Sequence, residues 1–149
     1  MSIAKEIQQR KFRSEYHELV VNVIFSGNWM EEKIRQLLEK EKITPQQYNI
    51  LCILRGNKEP MSTLQIRSRM LDKMSDTSRI VNRLMKKGWV EKKKSHGDKR
   101  LVDITISKKG SDVLRRLDER HTDLDSIVTH LSKKDANALN RLLDKMREQ

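Results

Sequence analysis

The feature that most constrains this chain is a change of hydrophobic period. Up to Gly88 apolar side chains recur at three- and four-residue steps, the repeat of an amphipathic helix. From Trp89 the repeat shortens. Trp89-Val90 leads into Glu91-Lys92-Lys93-Lys94, the turn-rich Ser95-His96-Gly97-Asp98 follows, and residues 100–107 (RLVDITIS) alternate at Val102, Ile104 and Ile106. After Ser107 the helical step returns. Two short strands joined by a glycine-bearing loop form a β-hairpin, set among helices on both sides. The fold class is therefore mainly α with a small β-hairpin.

The helices can be placed from their apolar stripes and caps. Phe12, Tyr16, Leu19, Val20, Val23, Met30, Ile34, Leu37 and Leu38 mark one long amphipathic helix. Gly27 falls inside it, where a glycine costs about 1 kcal/mol relative to alanine and usually signals a kink or a close helix crossing. Thr44-Pro45 starts a second helix through Tyr48, Leu51, Cys52 and Leu54 that Gly56 stops. Ser62 caps a short third helix with Leu64, Ile66, Met70 and Leu71. Ser75 is the expected cap of a fourth, ending at Gly88. Beyond the hairpin, Ser107 opens a helix with Val113, Leu114, Leu117, Leu124, Ile127, Val128 and Leu131. Ser132-Lys133-Lys134-Asp135, close to a capping box, starts the last one, with Leu139, Leu142, Leu143 and Met146. The expected order is α-α-α-α-β-β-α-α.

Charge is concentrated rather than spread. The 149 residues carry a formal net charge of +11. Residues 58–109 hold 15 Lys and Arg against 6 Asp and Glu, a net of +9, whereas the rest of the chain nets only +2. A basic third of this kind is the electrostatic footprint of a polyanion-binding surface. Aromatic residues are only 4%, which argues against a single-strand binder built on stacked rings. No run of about 18 apolar residues is present for a membrane span, and residues 1–10 lack the apolar core of a signal peptide. A single cysteine, Cys52, excludes an intramolecular disulfide and a multi-cysteine zinc site. These bounds point to a basic, cytoplasmic protein of a single domain, residues 1–149.

Two short helices with a tight connection, followed by a basic hairpin, describe a winged helix-turn-helix, whose second helix enters the major groove of double-stranded DNA. At 100° per residue, Thr77, Ile80, Val81 and Leu84 fall on one arc of that helix. Ser75, Arg79, Asn82, Arg83 and Lys86 fall on the opposite arc, with Ser78 at its edge. Hydroxyl and amide groups there suit base edges, and the arginines suit phosphates. The candidate DNA-binding residues are Ser75, Ser78, Arg79, Asn82 and Arg83 on the helix, with Lys99 and Arg100 at the hairpin tip. Arginine suits the negative potential of a narrow minor groove. Asp98, a carboxylate that phosphates would repel, is assigned to supporting Arg100.

These residues resemble the MarR (multiple antibiotic resistance regulator) family of winged-helix transcription factors. The resemblance rests on Thr44-Pro45-Gln46-Gln47-Tyr48, on residues 75–83 followed by Leu84-Met85-Lys86-Lys87-Gly88, on Asp98-x-Arg100, and on Ile106-Ser107-Lys108-Lys109-Gly110, where the family commonly has Leu-Thr-x-x-Gly. It covers essentially the whole chain. It implies a winged-helix lobe at residues 44–106, with 1–43 and 107–149 as long dimerisation helices of a homodimer. It also implies a repressor that reads a pseudo-palindromic operator and is released by a small-molecule effector. The usual effector pocket would place Trp29, Met30 and Tyr48 at its wall, positions that equally suit the core.

Other chemistries find less support. Cys52 sits between Leu51 and Ile53 and reads as core packing rather than as a redox sensor. His17, His96, His121 and His130 are scattered. His121 with Asp125 offers at most a partial metal site, more simply a solvated helix face. No phosphate loop, nucleophile elbow or zinc-hydrolase motif is present, so neither an enzyme nor a cofactor is expected. Two other readings use the same charge: a sequence-tolerant architectural DNA binder, and a dimeric protein-interaction module whose basic face meets an acidic protein. If Arg100 contacts phosphate or the minor groove, Arg100→Ala will weaken binding to every duplex and lower the salt slope by about 1. An unchanged slope in a salt titration removes Arg100 from the contact set.

Overall fold

Side-chain caps set most helix starts. In the computed structural model, which describes residues 1–94, 102–120 and 125–148, a four-residue helix α1 (Ile3–Glu6) precedes the long α2 (Glu15–Leu38). Ser14 caps α2 by accepting the His17 N–H at 3.2 Å. The helix therefore starts three residues after Phe12, whose ring instead meets His17 edge-on at 5.6 Å. A 3₁₀ turn (Glu39–Glu41) follows, and then Lys42 adopts a left-handed conformation with φ 52°. Thr44 and Gln47 form a reciprocal capping box at the start of α3 (Pro45–Arg55), with Pro45 in the first turn as expected. Ser62 and Gln65 repeat the device for α4 (Thr63–Arg69).

The remaining elements are α5 (Thr77–Lys86), β2 (Val90–Lys94), β3 (Val102–Ile106), α6 (Lys108–Asp118) and α7 (Lys133–Arg147). The sheet has a strand more than the hairpin. Residues Met61–Ser62 form β1, which pairs antiparallel with β3 and gives the order β1-β3-β2. In register, Met61 and Lys92 both lie opposite Ile104. A two-residue strand has no period of its own, so only its partner reveals it. The architecture is a winged helix-turn-helix, α3-α4-α5 with the β2–β3 wing, joined to long helical segments.

One core cluster holds the lobe together. Ile50, Leu51 and Leu54 of α3 pack with Ile66, Val81, Leu84, Ile104 and the α6 residues Val113, Leu114 and Leu117, and Leu38 joins from the end of α2. The α6 stripe ends where its packing ends. Residues 118–123 offer no apolar side chain, and α6 stops at Asp118 instead of continuing to Leu131. Leu124, which was expected on the same stripe, lies outside the described residues. Gly27 produces neither of its expected uses within the chain: α2 is unbroken, and a Cβ there meets nothing within 4 Å. Helix α7 buries no residue at all. No described helix is long and apolar enough to cross a membrane.

The end of α5 is joined closely to the start of α6. Gly88 has φ +72°, and the Gly88 and Trp89 N–H groups donate to the Met85 and Leu84 carbonyls at 2.9 and 3.0 Å. This is a Schellman closure, which needs a left-handed residue after the helix and so favours glycine. Ser107 then bridges the two helices. Its hydroxyl donates to the Gly88 carbonyl at 2.6 Å and accepts the Gly110 N–H at 3.1 Å, while its own N–H donates to the Trp89 carbonyl at 3.0 Å. Gly110 is needed for this approach, since a Cβ there would lie 2.2 Å from the Trp89 carbonyl oxygen. Gly110→Ala is expected to destabilise the chain by about 2–3 kcal/mol, the usual cost of forcing atoms into a packed interior. Urea unfolding measures it, and an unchanged midpoint would show that the junction relaxes.

Candidate nucleic-acid interface

Helix α5 has one face anchored and the other open. Thr77, Val81 and Leu84 are buried, at 3% or less exposure, and Ile80 is half-buried, as their shared arc requires. Ser78, Arg79, Asn82, Arg83 and Lys86 are exposed on the opposite arc. The structure therefore brings four of the five expected helix residues onto one open face. The Thr77 hydroxyl has no hydrogen-bond partner among the described residues.

Ser75 is placed differently from the expectation. It is not the cap of α5. Asp76 is, accepting the Arg79 N–H at 3.1 Å. Ser75 belongs to the preceding turn, half-buried, with its hydroxyl donating to the Asp72 carbonyl at 2.8 Å. Asp72 organises that turn: its carboxylate accepts the Met74 N–H at 3.0 Å, which holds its pKa below the usual carboxylate value. Two good capping residues stand side by side, and the turn takes the first. The second also puts a carboxylate at the positive end of the helix dipole.

Around α5 the surface is basic and grooved. Thr63, Leu64, Arg67 and Met74 face Ser75–Ser78 across one groove between α4 and α5. Gln46 and Asp72 face Arg79, Ile80 and Arg83 across another, beside the start of α3. Leu64 and Met74 are 75% and 93% exposed. Arg79 is partly held, with Nε 3.7 Å from the Asp76 carboxylate. The contact that sequence reasoning missed comes from the wing: Lys92 Nζ of β2 donates to Asn82 Oδ1 at 3.3 Å. Lys99, Arg100 and Asp98 lie outside the described residues.

Behind the face, Lys87 ties α5 to the rest of the chain. Its Nζ donates to the Lys42 carbonyl at 2.6 Å and to Gln47 Oε1 at 3.3 Å, and sits 4.3 Å from the centre of the Trp89 ring. Burial lowers its pKa. Cys52 is partly buried, and burial pushes its thiol up. Burial and the neighbouring Cys52 push the Tyr48 hydroxyl up to about 12. A thiol held protonated in this way is a poor nucleophile, in keeping with packing. Among the described residues, no group of three or more His, Cys, Asp or Glu is placed to hold a metal ion; His121 lies outside them.

The model of the MarR family matches residues 43–102, a span containing every residue of this face and strand β2 of the wing, and ending at Val102, the first residue of β3. Residues 43–102 are similar to the MarR family. Relatives extend the similarity. The chain is 24% identical over 120 residues to the HTH-type transcriptional regulator PecS of Dickeya dadantii, covering 78% of this chain and 72% of PecS. It is 29% identical over 73 residues to the transcriptional repressor MprA of Escherichia coli, covering 48% of this chain and 42% of MprA. The fold matches that of a mutant MarR from E. coli complexed with operator DNA. The TM-score is 0.80 at 20% identity, over 99% of this chain and 100% of the other. The matched segment thus holds α3 to β2, and the fold likeness extends to the flanking helices.

Proposed function

We propose that this chain is a transcriptional regulator that binds double-stranded DNA as a homodimer and represses by occupying a pseudo-palindromic operator. The observation that carries the reading is the two-sided α5, with Thr77, Val81 and Leu84 locked into the core and Ser78, Arg79, Asn82 and Arg83 open on the other side. A helix fixed from behind can present side chains to a major groove without a further cost of ordering its backbone. The match to the MarR family model, and the similarity to the transcriptional regulator PecS and the repressor MprA, support the same reading. In it, Ser75, Ser78, Arg79, Asn82 and Arg83 meet the major groove, Lys99 and Arg100 follow the wing, and Asp98 supports Arg100. Residues 44–106 would form the reading lobe within a single domain, and 1–43 and 107–149 the dimerisation region.

Two unpartnered apolar faces support the dimer. On α2, Tyr16, Val20 and Ile24 are 80, 56 and 59% exposed; on α7, Leu139, Leu142 and Met146 are 47, 58 and 45% exposed. A 15-residue helix that buries nothing is marginal in water by itself. A second copy would cover both faces. Ile24→Glu is then expected to convert a dimer into a monomer while the lobe stays folded, as read by sedimentation with circular dichroism. A wild-type monomer at micromolar concentration would sink the dimer. A small-molecule effector is implied by the family resemblance. Of the residues named for its pocket, Tyr48 packs against the core and Trp29 is 40% exposed on α2.

Selection from a random duplex pool tests the function. The expected product is an inverted repeat with half-sites about 34–36 Å apart, one helical turn. Asn82→Ala should relax preference at one position per half-site. Retention without an enriched motif would replace this reading with an architectural one, and no retention would point to an acidic protein partner.

A further inference from the structure

The wing strand and the recognition helix meet at one polar contact, and its chemistry restricts the base that can be read there. Val90 and Lys92 share a face of β2, since alternate residues of a strand point the same way. Val90 is buried, so this face looks towards the helices. Lys92, two residues nearer the tip, emerges just beyond the core and reaches α5, where its Nζ lies 3.3 Å from Asn82 Oδ1. An ammonium has donors and no acceptor, so the amide must turn its oxygen towards Lys92 and its Nδ2–H₂ group away. Both side chains are exposed. The pair presents N–H donors from two sources.

That pattern disfavours adenine. An asparagine reading adenine uses Nδ2–H as donor to N7 and Oδ1 as acceptor from the N6 amino group. With Lys92 beside Oδ1, the N6 donor would face an ammonium. Cytosine offers only a donor, and thymine one acceptor beside a methyl group. Guanine presents O6 and N7, two acceptors for two donors. Resting on the DNA-binding reading above, we propose that Asn82 and Lys92 act as one unit that reads a guanine, with Lys92 a specificity-determining residue supplied by the wing.

The test is random-pool selection on the full-length wild type, Asn82→Ala and Lys92→Ala, each checked for folding by circular dichroism. The position at which Asn82→Ala loses preference identifies the base in question. The expected result is guanine there in the wild type. In Lys92→Ala, where Oδ1 is released, the guanine preference falls about tenfold and adenine rises. A different wild-type base at that position overturns the proposal. So does a guanine preference that Lys92→Ala leaves intact, including the case where affinity falls equally for all sequences, because Lys92 is then a phosphate contact only. If the wild type enriches no motif, the proposal falls together with the sequence-specific reading; an enriched motif with an unmoved guanine sinks the proposal alone.

Discussion

The winged-helix lobe depends on one serine. Ser107 holds the Gly88 carbonyl, the Trp89 carbonyl and the Gly110 N–H at once. It thereby joins the end of α5, the base of the wing and the start of α6. Buried polar groups are costly when unpaired, so a hydroxyl that donates and accepts in this position fixes the relative placement of all three elements. Gly110 allows the backbones to approach, and Gly88 supplies the left-handed turn that brings the chain there. The angle between α5 and the wing, on which any shared contact with a duplex depends, follows from these few atoms.

Electrostatics then attaches this lobe to the flanking helices. Arg55 of α3 meets Asp118 at the end of α6 at 2.5 Å. Glu41, largely buried, lies between Arg116 and Arg120 at 2.9 and 3.5 Å. The first pair is about 40% exposed and is worth little in water. Glu41 is better shielded and links the turn after α2 to α6. Together with the hold of Lys87 on the Lys42 carbonyl, these contacts cross from the ends of the long helices into the lobe. Any movement of α2 would reach α5 through them.

Much of this was legible in the sequence. The arc of Thr77, Ile80, Val81 and Leu84 fixed the buried side of α5, and hence the open side, because helical period and burial are the same information. Caps at Thr44, Ser62, Ser107 and Ser132 were legible because hydroxyl capping is local chemistry. What was hidden depended on competition or on distance along the chain. Ser75 and Asp76 are both good caps, and the turn organised by Asp72 decides between them. Strand β1 exists only through its pairing with Asp103 and Ile104 of β3, and Lys92 meets Asn82 only because β2 runs back past α5. The end of α6 at Asp118 was legible in hindsight: the apolar step simply lapses there.

The absence of any buried residue in α7 has a consequence for dosage. A helix with no fully buried residue would, in a dimer, gain much of its order from association, so folding of that segment and assembly would become one equilibrium. Under the proposed dimer, the amount of intact reader rises with roughly the square of chain concentration when the chain is scarce. Dilution by cell growth would then lower occupancy of an operator more than proportionally. The bare face of a terminal helix would in this way set a threshold in gene control.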